Sequence, residues 1–223
     1  MPFVALEASD GHTFHAHVAR PTLSPKAGLV VVQEIFGVNP HIRSVADGYA
    51  AEGYLVAAPA LFDRIRPGIE LGYSEADMNE GFGYKTSVGN EQPLLDIAAT
   101  VAWLRTQGVK RVGIVGYCWG GLLSWLSAAR VAGLDASAPY YGGGMPEHKD
   151  EAAQCPVLAH FAEQDRWIPM EGIEAFRAAQ PGVQIHLYPA HHGFNCDQRG
   201  AWEPQSAQLA RERTLAFFRE HLS

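Results

Sequence analysis

Cysteine is scarce in this 223-residue chain: Cys118, Cys155 and Cys196 form no C-x-x-C pair, and any disulfide scheme leaves one over. That points away from a disulfide framework and a zinc ribbon, and toward a reducing compartment. Charged residues make up only 18%, and the net charge of −7 comes without any basic run. A nucleic-acid or anionic-membrane partner is therefore not expected, because such surfaces need clustered Lys and Arg. No apolar run is long enough to cross a bilayer, and no Lys/Arg-led signal region is visible at the N-terminus. The expected location is the cytoplasm. The histidines are scattered without H-E-x-x-H spacing, and His191 and His192 on a regular strand would point to opposite faces, so neither a metal site nor a cofactor is expected. With no heptads and no obvious exposed apolar stripe, a monomer is the default.

What the chain has is apolar content, 47% of residues, enough for one large core. Val4–Glu7 and Phe14–Val18, flanking Ser9-Asp10-Gly11, read as a β-hairpin because Asp-Gly favours a tight turn. Apolar runs then alternate with helical stretches. Strands are predicted at 28–33, 54–58, 112–115, 136–140, 157–161 and 184–188, and helices at 41–52, 91–107, 121–130, 171–180 and 206–222. Continuous apolar strands imply a sheet covered on both faces, and the alternation implies parallel pairing. The expectation is a single α/β domain over 1–223, doubly wound and mostly parallel, with an antiparallel N-terminal hairpin. Residues 61–90 break the rhythm, and read either as a lid or substrate loop or as an irregular connection.

The most informative stretch is Arg111–Leu122, RVGIVGYCWGGL, in which Gly116-Tyr-Cys118-Trp-Gly120 is a G-x-C-x-G box fed by an apolar run. Such a box ends a strand, sets the nucleophile on a strained turn and starts a helix at once. The helix N-terminus favours thiolate and oxyanion through its N–H groups and partial charge. Ligands in parallel sheets bind beyond the carboxyl ends of the strands. There stand Glu34, Cys118, Asp165 in FAEQD and His192 in YPAHHGF, and the order nucleophile, acid, histidine is that of the α/β-hydrolase triad. Each alone has a plainer reading: a buried structural cysteine, a helix cap for Asp165, a solvated carboxylate for Glu34.

VVQEIFGVN at 31–39, GYCWGG at 116–121, EQD at 163–165 and HHGFNCD at 191–197 together resemble the dienelactone hydrolase family, in family order and over most of the chain. The resemblance implies an α/β-hydrolase fold and a Cys118-His192-Asp165 triad with Glu34 beside the thiol. Cys118 would attack an acyl carbon as thiolate, His192 would carry the proton, and Asp165 would fix the tautomer. His192 is preferred over His191 because the family histidine stands two positions before a phenylalanine, here Phe194. The oxyanion would be held by the backbone N–H of Trp119 and by a second N–H that the family places just after the glutamate, Ile35. A carboxylate beside a thiol raises its pKa, so Glu34 is expected to keep Cys118 dormant until substrate shifts it.

The resemblance also implies arginines that bind a substrate carboxylate. Cys196 occupies one of those places, and 70–83 holds no arginine for the other; Arg64, Arg66, Lys85 and Arg199 are the candidate replacements. Phe36, Tyr84, Trp119, Tyr141 and Trp167 are candidates for an aromatic pocket, with Phe36 and Tyr84 taken as substrate-binding. The expected activity is a cofactor-independent opening of a small ester or lactone, dienelactone-like, through an acyl-cysteine. The alternatives are a thioesterase or general small-ester hydrolase, or a non-hydrolytic binding or redox-sensing protein.

Overall fold

The computed structural model describes residues 3–223. Strands β1 (Phe3–Glu7) and β2 (Thr13–Ala19) form the hairpin, with Gly11 at a positive φ of 83° in the turn. There follow β3 (Gly28–Val32), α1 (Pro40–Ala51), β4 (Leu55–Pro59), α2 (Glu75–Val88), α3 (Glu91–Thr106), β5 (Val112–Tyr117), α4 (Trp119–Arg130) and β6 (Ala136–Tyr140). The chain closes with β7 (Leu158–Ala162), α5 (Met170–Ala179), β8 (Gln184–Tyr188) and α6 (Pro204–His221). The eight strands make one sheet in the order β1-β2-β4-β3-β5-β6-β7-β8. Only β1 with β2 and β2 with β4 run antiparallel.

Strands β3 to β7 are buried at every position, which is why their sequences are continuously apolar rather than alternating. Adjacent residues of β3 show the two covering layers: a Cβ on Gly28 would meet Leu104 of α3, whereas Leu29 shares a site at Gly113 with Phe218 and Leu222 at the α6 end. Tyr49 of α1 packs on Phe218 of α6, and Phe176 of α5 packs on Trp125 of α4, so α1 and α6 cover one face and α3, α4 and α5 the other. β8, at the sheet edge, is the least buried of the parallel strands. Among the described residues no helix is long and apolar enough to cross a membrane.

The stretch 61–90 is more ordered than its composition suggests. A short 3-10 turn, Leu61–Arg64, leads to α2, which opens with a capping box between Ser74 and Asp77. Only Gly81 and Val88 of α2 are buried; Val88 joins the core, and Met78, Phe82 and Tyr84 pack against it.

Candidate active site

β5 runs two residues further than its apolar run suggests, and α4 begins at Trp119, which leaves Cys118 as the only residue between them. Its φ of 57° and ψ of −116° are dihedrals that a side-chain-bearing residue rarely adopts. The two glycines of the box allow this turn by close backbone approach. A Cβ on Gly116 would lie 2.0 Å from the Gly120 carbonyl oxygen, and one on Gly120 would lie 2.5 Å from the carbonyl oxygens of Val32 and Gln33. The thiol is thereby lifted to the carboxyl edge of the sheet, over the first turn of α4.

Beyond β7 and β8, Asp165 and His192 meet, with His192 Nδ1 2.7 Å from Asp165 Oδ2. An ionised carboxylate only accepts, so Nδ1 carries the proton and Nε2 faces the thiol. Asp165 is itself fixed, because its Oδ1 accepts from the Trp167 N–H at 2.8 Å. Tyr141, at φ 36°, sets its ring edge-on to the imidazole at 5.1 Å. Burial works against a charged His192, but the charge of Cys118 and hydrogen bonds with Asp165 and Cys118 outweigh it and push its pKa up to about 10. His191 is exposed and turned to the Gln164 carbonyl.

Glu34 follows β3 and is buried. Its Oε1 accepts from Arg199 Nη1 at 2.9 Å, and its Oε2 has no hydrogen-bond partner among the described residues. Beside the expected place of Glu34 next to the thiol, the structure adds a contact that the sequence did not signal: the carboxylate is engaged by a guanidinium. Arg199 lies over the rings of Phe36 and Tyr73 at 5.6 and 6.0 Å. Gly193, at φ 84°, leaves it room.

These groups border a cavity of about 340 Å³ lined by Cys118, His192, Arg199, Ile35, Phe36 and Trp119, with Met78, Phe82 and Lys85 contributed by α2. As the first residue of α4, Trp119 has a backbone N–H with no intrahelical acceptor. Its indole Nε1 donates to Asn90 Oδ1 and its ring stacks on Phe62. Trp167 also lines the cavity. Tyr84, a substrate-binding candidate from sequence, does not: its hydroxyl donates to Glu80 and its ring packs on Phe62. It stands one helical position from Lys85, which does face inward. Of the candidate cations, Arg64 is bound to Asp10 and Asp96, and Arg66 is exposed outside the cavity lining. Lys85 and Arg199 remain.

No metal site was expected from spacing, yet the fold gathers Glu34, His41 and Cys196, whose ligand atoms lie within 4.8 Å of one another and which are all buried. Burial first, and then the Glu34 charge, raises the Cys196 thiol to about 12. No run of nearby residues signals this cluster, because it joins the end of β3, the first turn of α1 and the loop after β8.

Comparison with known proteins agrees with this architecture. A family model described as "Dienelactone hydrolase family" matches residues 14–222. A protein of Azospirillum brasilense named "Putative carboxymethylenebutenolidase" is 36% identical over the full length of both chains. A carboxymethylenebutenolidase of Pseudomonas putida is 32% identical, with 96% of this chain and 94% of the other covered. The crystal structure of a protein named "Putative Dienelactone Hydrolase" from Klebsiella pneumoniae superposes with a TM-score of 0.85 at 31% identity, covering 98% of this chain and 99% of that one. The chain therefore belongs to the dienelactone hydrolase family and is a hydrolase of carboxylic esters or lactones.

Proposed function

We propose that this protein opens a small ester or lactone bearing a carboxylate, dienelactone-like, through an acyl intermediate on Cys118. The observation that carries this reading is the pairing of a strained strand-to-helix cysteine with an Asp165-held His192 whose pKa rises to about 10. A histidine so raised accepts the thiol's proton as Cys118 attacks, which gives the thiolate an imidazolium partner. The thiolate attacks the acyl carbon, and the carbonyl oxygen becomes an oxyanion held by the N–H groups of Trp119 and Ile35. Each such donor is worth on the order of 3 kcal/mol. The C–O bond breaks as the imidazolium gives its proton to the leaving oxygen. Neutral His192 then takes a proton from water, hydroxide adds to the thioester, and the acid leaves as the thiolate re-forms.

Arg199 reads the substrate carboxylate in this scheme, and Glu34 keeps the largely buried guanidinium aimed into the cavity until substrate competes for it. Glu34 is then a positioning residue for Arg199. Lys85 supplies a second cation from α2, and Phe36, Phe82 and Trp167 give flat apolar walls suited to a planar acyl group.

Steady-state turnover on cis- and trans-dienelactone, a neutral nitrophenyl ester and a thioester tests this function. Cys118→Ala and His192→Ala should abolish turnover, His191→Ala should keep it, and a slow substrate should leave an acyl mass on the Cys118 peptide. Absence of turnover on every ester and lactone would overturn the proposal and favour a binding or redox role.

A further inference from the structure

The cluster of Glu34, His41 and Cys196 lies outside the lining of the catalytic cavity, and three features there call for an occupant. Glu34 Oε2 and His41 Nε2 are both buried and neither has a hydrogen-bond partner among the described residues, the nearby Cys196 thiol included. Orphaned buried acceptors are costly. The third feature is the state of His41. Its Nδ1 lies 3.1 Å from Asp197 Oδ1, and a carboxylate only accepts, so Nδ1 carries the proton and Nε2 keeps a free lone pair. This carboxylate–imidazole arrangement orients a histidine for metal ligation and raises its basicity.

We propose that Glu34, His41 and Cys196 form a binding site for a divalent transition-metal ion, with the sulfur, imidazole and carboxylate donors suited to Zn2+. A thiolate, an imidazole and a carboxylate are each zinc ligands, and the combination of soft sulfur with nitrogen selects against Mg2+ and Ca2+. Three protein donors leave a fourth position for water. Ion entry deprotonates the Cys196 thiol, and the released proton goes to solvent. The thiolate, Glu34 and Asp197, set against Arg199, then leave a local charge that a dication neutralises. A closed tetrahedral set has ligand atoms roughly 3.3–3.8 Å apart given metal–ligand bonds of about 2.0–2.3 Å, so the donors must close by about 1 Å from their present span. Side-chain rotation supplies that much.

The surroundings are built for rigidity and for access. Asn39 caps α1 by accepting the Ile42 N–H, which fixes the turn carrying His41, and its amide donates to the Tyr73 hydroxyl and the Leu71 carbonyl. A surface cavity of about 560 Å³, separate from the catalytic one, is lined by His41, Asp197, Tyr49 and Tyr117 and so borders the residue at the edge of the cluster.

The test is titration of the apo, chelator-treated full-length protein with Zn2+ and, anaerobically, with Co2+, read by metal analysis and by the sulfur-to-cobalt absorption band. The expected result is one ion per chain with a thiolate–cobalt band. Cys196→Ala should abolish the band, and His41→Ala should weaken binding by about tenfold or more. Asp197→Asn changes an exposed side chain outside the core and should weaken binding by about 10–100-fold through loss of the histidine's partner. Cys118→Ala should bind as the parent does. Loss of the ion in Cys118→Ala with retention in Cys196→Ala would assign it to the nucleophile and overturn the proposal. Absence of stoichiometric uptake by the folded parent would overturn it as well, and would leave the orphaned acceptors to an ordered water.

Discussion

Arg199 reaches Glu34 across 165 positions of sequence, with Nη1 2.9 Å from Oε1. A guanidinium so placed is both the counter-ion of a buried carboxylate and an open hand toward the catalytic cavity. Arg199→Gln should lower kcat/KM for a carboxylate-bearing lactone by about 10–100-fold, because hydrogen bonds to charged groups are worth about 1.5–3 kcal/mol. A neutral nitrophenyl ester should lose far less, and Arg199→Lys should recover part of the difference. Leaving Glu34 buried without its partner also costs stability, so a lowered Tm is expected alongside. Equal losses on charged and neutral substrates would remove Arg199 from substrate recognition.

Gly193 controls the same contact from the backbone. A Cβ there would stand 2.5 Å from Arg199 Nη1, and the residue holds φ at 84°. Gly193→Ala should therefore displace the guanidinium and cost about 1–2 kcal/mol for the left-handed backbone. Its kinetic signature should copy that of Arg199→Gln: selectivity against carboxylate substrates with neutral-ester turnover largely kept. If neutral-ester kcat falls in step, Gly193 acts instead through its neighbour His192.

The parts of this picture that were legible in the sequence are local ones. Continuous β-branched runs mark β3 and β5 because both their faces are buried, and the Gly116–Gly120 box marks its turn because no other residue fits. Helix α2 was missed, although Ser74 and Asp77 spell a capping box, because Gly81 and Gly83 interrupt a helix with almost no buried face. One of these glycines has a tertiary reason: a Cβ at Gly81 would meet the Ile35 carbonyl oxygen at 2.2 Å. Arg199 and the Glu34–His41–Cys196 cluster were not readable as assemblies, since their geometry depends on loops from opposite ends of the chain. Tyr84 and Lys85 show the same limit on a finer scale, because one step along a helix turns a side chain by about 100° and decides which of two neighbours meets substrate.

The state of His192 predicts how the site responds to pH. Burial opposes its charge, but the Cys118 charge and the hydrogen bonds with Asp165 and Cys118 raise its pKa to about 10, so an imidazolium stands beside the thiol through neutral pH and favours its thiolate form. Alkylation of Cys118 by iodoacetamide at pH 7 should therefore be faster in the parent than in Asp165→Asn, which removes the group that holds the imidazole. A parent rate at pH 7 no faster than that of Asp165→Asn would sink the role given to the imidazolium.

Strain at the nucleophile should be measurable apart from catalysis. Cys118 sits at φ 57° and ψ −116°, where a Cβ is crowded, and residues held in such regions cost on the order of 1–3 kcal/mol. Cys118→Gly and Cys118→Ala both remove the sulfur and should both be inactive, but only glycine relieves the backbone. The glycine variant gains flexibility in the unfolded chain, which works against it by roughly 0.4–1 kcal/mol, so a net advantage of about 1–2 kcal/mol over the alanine variant is expected in urea unfolding. Equal stabilities would mean that the turn carries little strain. An advantage for glycine over the parent enzyme as well would show that the protein holds its thiol in place at the expense of stability, with the Gly116 and Gly120 contacts supplying the constraint.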